Sequence, residues 1–458
     1  MNSKTFKINR REFLKGSFAS LVLSSFGLYG FDLMYPTKAY RVGLIGTGWY
    51  GKSDLLRLMQ VTKIEVVCLC DVDQLQLNEA ADLVQQRQGL AKRPQLYKDY
   101  QEMLSQHELD IVLIGTPDHW HALQAIAALK MGAHVYLQKP ISVDVIEGEA
   151  VVAAAKKYNR VVQVGLQRRN TPHLIDAKRK IVDEGLLGEI GHVELCCYYP
   201  MRSTANPALQ EIPDYFDYNL WTGPAPLRPY DGLPHRGWWR AFMEYGNGIM
   251  GDMCVHMLDA ARWMLDLGWP QEVSSQGGIY IQNGGKSNIA DTQTAIFKYD
   301  DFNCVWQHRT WGPPVDPEYP WGFKIYGEKG TLAGSPYQYD FIPNGKGKSI
   351  HQDCLFEREK YPEDLSEKNI ELHAAPATRL HMLDFLKSIA EQTKPSANIE
   401  EGHCSSASCI LANLAMELKR PLQYDPNKRI VINDTQATQL LQRPYRSGWI
   451  HPLPEDFN

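Results

Sequence analysis

From residue 40 onward the chain alternates between two hydrophobic periods. Short apolar runs at 42–45, 64–70, 111–116, 134–137 and 161–165 are the length of strands, and helical periods at 54–59, 122–131 and 144–158 separate them. Strands buried on both faces read as continuous apolar runs, and strand–helix alternation predicts a doubly wound parallel sheet with ligands at the carboxyl ends of its strands. Beyond residue 166 the pattern changes. Segments 192–199 and 292–299 are β-branched or aromatic with polar residues interleaved, as half-buried antiparallel strands are. The fold class expected is therefore α/β: a Rossmann sheet over 40–165, then an α+β domain over 166–458 with an open, largely antiparallel sheet. Residues 335–372 are polar and aperiodic and are expected to form a long loop, while 379–391 and 402–418 are expected to form helices.

Residues 1–39 have a different pattern. Asn9-Arg10-Arg11-Glu12-Phe13-Leu14-Lys15 precedes a moderately apolar run from 16 to 31, too short to span a bilayer comfortably, which is the layout of an export signal. Arg-Arg-x-Phe-Leu-Lys resembles the twin-arginine signal, with Asn9 where Ser or Thr is usual. That resemblance implies delivery of the folded protein to the periplasm by the twin-arginine translocase. An ordinary basic leader or an uncleaved N-terminal anchor stays open as the alternative. The best small-x-small cleavage site is Thr37-Lys38-Ala39, and the absence of cysteine before Cys68 excludes a lipoprotein.

Composition narrows the function classes. The 458 residues are 22% charged and 44% hydrophobic, a globular balance, and 48 basic against 53 acidic residues leave a net charge of −5. No basic run outside the leader favours nucleic acid. Nine cysteines are too few for a disulfide framework and lack zinc-site spacing, so no metal is expected.

Candidate chemistry begins at Gly46-Thr47-Gly48-Trp49-Tyr50-Gly51, between the first strand and a helix. In that context the first glycine makes the turn, the second lets backbone approach a pyrophosphate, and the third lets helix and strand pack closely. Asp71 ends the next strand 20 residues past Gly51, where a carboxylate accepts ribose hydroxyls and repels a 2′-phosphate. NAD is thus preferred, with NADP left open. Later strand ends carry Thr116-Pro117-Asp118-His119-Trp120-His121, Gln138-Lys139-Pro140 and Gln167-Arg168-Arg169. Asp252 and His256 stand four apart in a helical period over 252–266, one face of which would let the carboxylate orient the imidazole; Asp252 also reads as a helix N-cap.

These motifs, with Trp221-Thr222-Gly223-Pro224, the 246–259 segment and Arg443-Pro444-Tyr445-Arg446, resemble the Gfo/Idh/MocA oxidoreductase family from about 40 to 450. The resemblance implies a catalytic constellation of Lys139, Asp252 and His256, although Gln138 replaces the usual Glu before the lysine. It implies cofactor contacts from Gly46, Thr47, Gly48, Trp49, Tyr50, Gly51, Asp71, Thr116, Pro117, His121, Gln138, Lys139 and Gln167. Substrate contacts are expected from His119, Arg168 and Trp239, with one of Arg168 and Arg169 facing the pocket by strand alternation. The activity implied is hydride transfer between a sugar or glycoside carbon and a tightly bound nicotinamide, in a protein that is a homo-oligomer. Two other readings stay open: a glycosidase acting by transient oxidation and elimination, and a non-catalytic sugar-binding accessory protein.

Overall fold

A computed structural model describes residues 39–89 and 92–458; the segment expected to be an export signal lies outside them. Six parallel strands form the first sheet: β1 (Tyr40–Ile45), β2 (Ile64–Cys70), β3 (Gln95–Tyr97), β4 (Ile111–Ile114), β5 (His134–Leu137) and β6 (Val162–Val164). Their order is β3-β2-β1-β4-β5-β6, so the chain reverses its winding between β1 and β4 and opens a crevice at their carboxyl ends. Helices α1 (Trp49–Val61), α2 (Gln74–Gln88), α3 (Tyr100–Gln106), α4 (His121–Lys130) and α5 (Val145–Lys157) connect the strands. Asp73, Asp99 and Asp144 cap α2, α3 and α5 through their carboxylates, satisfying first-turn N–H groups.

The second sheet has eight strands. They are β7 (Ile190–Cys197), β8 (Glu272–Gly278), β9 (Thr292–Lys298), β10 (Asn303–Arg309), β11 (Trp321–Gly327), β12 (Gly330–Gly334), β13 (Gln338–Pro343) and β14 (Ile350–Asp353). The order is β14-β13-β12-β11-β7-β10-β9-β8, antiparallel throughout except for the parallel β7–β10 pair. Val193, Leu195, Phe297, Trp306 and Phe323 turn to the buried face, while Glu194, Ile296 and Gln307 alternate outward. The covering face is provided by α6 (Val255–Leu265) and α8 (Ile399–Leu418), with α7 (Ala375–Glu391) between those two in sequence. Among the described residues no helix is long and apolar enough to cross a membrane.

Two expectations need correction. Residues 335–372 are not one loop, because β13 and β14 lie within them as the sheet's outermost hairpin. Tyr339 and Phe341 pack inward there, and solvent on the other side gives the segment its polar composition. The helical period at 252–266 begins earlier, at a wide turn over Met250–Cys254 that runs into α6, so Asp252 lies inside the helical path and is not its cap. Met382, Phe385 and Leu386 of α7 pack into the cluster formed by Val42, Leu44, Ile111 and Leu113, and so cover one face of the first sheet.

Candidate active site

The glycine turn is bound to the strands on either side. Gly46 N–H donates to Cys70 O at 2.8 Å, and Gly115 N–H donates to Ile45 O at 2.9 Å. Gly46 has φ +86°, and a Cβ there would lie 2.6 Å from Thr116 N; a Cβ on Gly51 would lie 2.0 Å from Gly46 O. Gly48 differs, since a Cβ there would meet nothing closer than 3.6 Å and would instead fill the space in front of α1. No side chain caps that helix, which leaves its first N–H groups for an anion. Asp71 Oδ2 accepts from Thr47 N at 2.7 Å and Thr47 Oγ1 at 3.0 Å, bracing the turn from the end of β2.

In front of this turn lies a cavity of about 550 Å³, a size suited to a small-molecule cofactor. Gly46, Gly48, Trp49, Tyr50, Asp71, Thr116, Pro117, His121, Gln138 and Lys139 all line it, as does Trp239. A free helix N-terminus, a glycine that leaves room, and a carboxylate at the second strand end are the parts a dinucleotide requires, so the residues present fit NAD. Thr47 and Gly51 stand behind the wall, one bonded to Asp71 and the other packed on Gly46. Gln167 is buried outside it, with Oε1 lacking a partner. The opposite wall comes from 216–240, through Phe216, Trp221, His235, Trp239 and Arg240. His235 Nε2 donates to Asp73 Oδ2 at 2.8 Å and the ring stacks on Phe216 at 3.6 Å, closing the adenosine end.

At the other end, Lys139 Nζ donates to Asp252 Oδ1 at 2.5 Å and to Asp252 O at 3.0 Å. Burial raises the Asp252 carboxyl, but the charges of Lys139 and Arg240 outweigh burial and hold it below the usual carboxylate range. Arg240 Nε reaches the same oxygen at 3.2 Å. No hydrogen bond joins Asp252 to His256, which corrects the expectation that the carboxylate orients the imidazole: Oδ1 is turned to the two cations. His256 is 4% exposed, its Nδ1 has no partner, and its ring lies edge-on to Trp321 at 5.5 Å. Burial, then the charges of Lys139 and Arg168, push it well below the ordinary histidine value, so the imidazole is neutral.

Gln138 has exchanged roles with a buried acid. Its Nε2 donates to Asp54 Oδ2 at 2.7 Å, and burial raises Asp54 to about 7 against the opposing pull of Gln138 and Arg57. His121 lies between Pro140 O at 2.6 Å and Thr116 O at 2.9 Å, and burial pushes it down to about 4. A neutral ring satisfies one of these carbonyls at a time, tying the lysine strand end to that of β4.

His119 does not face the cavity. Its Nε2 lies 3.0 Å from Trp221 O and its ring packs on Trp221 and Tyr245, so the structure places it behind the wall, held by aromatic burial. Arg168 and Arg169 are on a tight helical turn, Gln167–Asn170, and not on a strand, so alternation does not sort them. Arg169 forks onto Asp259 at 2.8 and 2.7 Å, whereas Arg168 lies over the Trp321 ring at 5.1 Å. Sequence reasoning passed over Asp118, Arg240 and Trp321. Asp118 stood inside a quoted motif and lines the cavity, with burial raising its carboxyl well above the usual range; the other two carry no local signal.

Three family models match along the chain: an oxidoreductase family, NAD-binding Rossmann fold, over 40–166; a GFO/IDH/MocA C-terminal domain over 221–333; and an oxidoreductase family, C-terminal alpha/beta domain, over 343–451. A Glycosyl hydrolase family 109 protein of Shewanella baltica (strain OS155 / ATCC BAA-1091) is 27% identical over 370 residues, 75% of this chain and 78% of that protein. The match to one of the same name from Shewanella pealeana, 28% identical over 217 residues, spans 43% of this chain and about half of that protein, 47%. Inositol 2-dehydrogenase of Salmonella paratyphi B is 30% identical over 151 residues, 32% of this chain and 43% of that protein. Levoglucosan dehydrogenase, solved with NADH and levoglucosan, superposes with a TM-score of 0.63 at 20% identity, covering 84% of this chain and 99% of that one; at that identity the likeness establishes the fold.

Proposed function

We propose that this chain, which belongs to the Gfo/Idh/MocA family of NAD-binding oxidoreductases, moves hydride between a sugar or polyol carbon and a nicotinamide that it holds tightly. The observation that carries the reading is the Lys139–Asp252 ion pair, with Lys139 lining a crevice that fits NAD, together with a neutral His256 whose Nδ1 has no partner. NAD, when bound, accepts the hydride, and the chain's own groups manage the rest. Oxidation of a secondary alcohol breaks one C–H and one O–H bond. The hydride carries two electrons to the cofactor, and the proton goes to His256, whose neutral ring has a free nitrogen. Lys139, anchored by Asp252, donates a hydrogen bond to the developing alkoxide, where a fixed positive charge lowers the barrier. Reduction runs the same bonds backward.

Tight retention is supported by the 216–240 segment, which walls the cavity opposite the glycine turn. The Asp71 carboxylate favours NAD over NADP, and Lys98, which also lines the adenosine end, is paired with Asp217 at 2.9 Å. The same proposal extends to export by the twin-arginine route, supported by Arg10-Arg11, and to self-association, supported by the outward face of the second sheet with Ile296 and Ile342 exposed. The glycosidase reading draws on the Shewanella relatives, and retention of Lys139 weighs against it.

The test is to purify protein beginning near Tyr40 without added nucleotide and follow nicotinamide absorbance across a panel of hexoses, polyols, uronates and glycosides. A signal that changes with one class and is absent in His256→Ala supports the proposal. Aglycone release without net reduced nicotinamide would favour the glycosidase.

A further inference from the structure

We propose that the substrate carries a carboxylate and that Arg168 receives it, which narrows the sugar reading above to uronic or aldonic acids and rests on that reading. The argument begins with two adjacent arginines in the same turn, both buried, at 1% and 6% exposure. Arg169 is saturated: Asp259 takes Nε and Nη2, Ser396 O takes Nη1 at 2.9 Å, and Glu401 adds a second carboxylate at 3.0 Å. Arg168 has neither hydrogen bond nor ion pair at Nε or Nη1, and its Cζ lies 5.1 Å from the centroid of the Trp321 ring. A buried guanidinium without an oxygen partner is strongly disfavoured, and a fold that satisfies one arginine so fully has left its neighbour for something else.

No carboxylate in the surroundings hydrogen-bonds to Arg168. Burial, reinforced by the charge of Arg168, keeps His173, His256 and His373 neutral. His173 Nδ1 and His256 Nδ1 are buried without partners as well. Glu371 is the carboxylate close enough to bear on Arg168, and it accepts the Tyr50 hydroxyl at 2.5 Å with no hydrogen bond from the arginine. Asp252 is bound to Lys139 and Arg240. Tyr199 and Tyr337 border the guanidinium. The result is a donor-rich patch against Trp321, which also meets the His256 and Tyr199 rings. A guanidinium fork matches a carboxylate in geometry and neutralises it, whereas sugar hydroxyls match only its hydrogen bonds. Arg168 is thus a specificity-determining residue, and His256, on the same tryptophan, is the proton acceptor for a hydroxyl elsewhere on that molecule.

The experiment uses the cofactor-loaded protein with glucuronate, galacturonate and gluconate, set against glucose, galactose and the methyl ester of glucuronate. Turnover is read by nicotinamide absorbance, and binding is read separately by ligand-induced thermal shift. One acid is expected to exceed its uncharged counterpart in kcat/KM by about 10–100-fold, the range a charge-assisted hydrogen bond confers. Arg168→Gln should raise KM for the acid by that factor and cost the acid more than the neutral sugar, with Arg168→Lys intermediate. Equal losses on acid and neutral sugars in Arg168→Gln, or a wild type that prefers the ester, would overturn the proposal. If Arg168→Gln does not fold, the wild-type comparison of glucuronate with its ester decides alone. Acid-specific thermal shifts without reduction of the cofactor by any sugar would retain the carboxylate site and sink the hydride-transfer reading instead.

Discussion

The two ends of the crevice are built from different materials. The cofactor end is largely backbone and local: a turn at 46–51, the free N-terminus of α1, and the last residue beyond β2. The end proposed as catalytic is side chain and distant: Lys139 after β5 lines the crevice and pairs with Asp252 in the turn before α6, while His256 on α6 and Arg168 after β6 both meet Trp321 on β11. Backbone donors at a helix start need only a chain that turns there, so 26 residues from Gly46 to Asp71 hold the essentials. Opposed charges and a neutral imidazole must instead be brought together across the fold, and their properties come from burial. Holding a cofactor is therefore separable from doing chemistry in this molecule.

The sharpest way to break that separation is His256→Ala. It should lower hydride transfer by about 10²–10⁴-fold while the purified protein still shows bound nicotinamide; loss of the cofactor would mean that the two ends are not independent. Gly51→Ala attacks the other end. Its Cβ would collide with Gly46 O, and overpacking of this kind costs about 1–3 kcal/mol, so thermal unfolding should shift down and nicotinamide content fall together.

Asp54→Asn probes the join between the ends. The folded carboxyl stands at about 7 against an ordinary 3.8, chiefly through burial. The folded protein then binds the proton more tightly than the unfolded chain, so this group's contribution to stability falls as pH rises from about 4 to 7 and is flat above. Asparagine keeps the acceptor for Gln138 and removes the ionisation. The variant should gain about 2–3 kcal/mol on the wild type between pH 5 and pH 8, measured by denaturant melts at both values. Parallel curves would show that Asp54 does not titrate there. The smallest effect belongs to Asp71→Asn, which should weaken NAD binding by about three- to tenfold and narrow the gap to NADP in a fluorescence titration. Equal losses for both cofactors would assign Asp71 to bracing Thr47 and not to choosing the ribose.

Legibility followed the same division. The strand–helix alternation of a parallel sheet and the helices at 379–391 and 402–418 were readable because period and turn chemistry are local. The hairpin at 338–353 was not, since an outermost hairpin with one wet face has the composition of a loop. Asp252 was placed correctly on a helix beside His256 and given the wrong partner, because i and i+4 spacing says which residues share a face but not which cation approaches from another domain. Arg168 and Arg169 are identical in sequence terms. Only Asp259 and Glu401, 90 and 232 residues away, distinguish the saturated one from the bare one.

The sequence by itself determined the parallel sheet, the dinucleotide turn with its acidic partner, and the list of groups capable of chemistry, because each depends on neighbours within a few dozen residues. The tertiary structure alone decided that Lys139 pairs with Asp252, that His256 is neutral, that Asp54 holds a proton near neutrality, that His119 faces away, and that Arg168 is left without an anion. Those are consequences of burial and long-range charge, and desolvation is a property of what the rest of the chain places around a group, which no local pattern records.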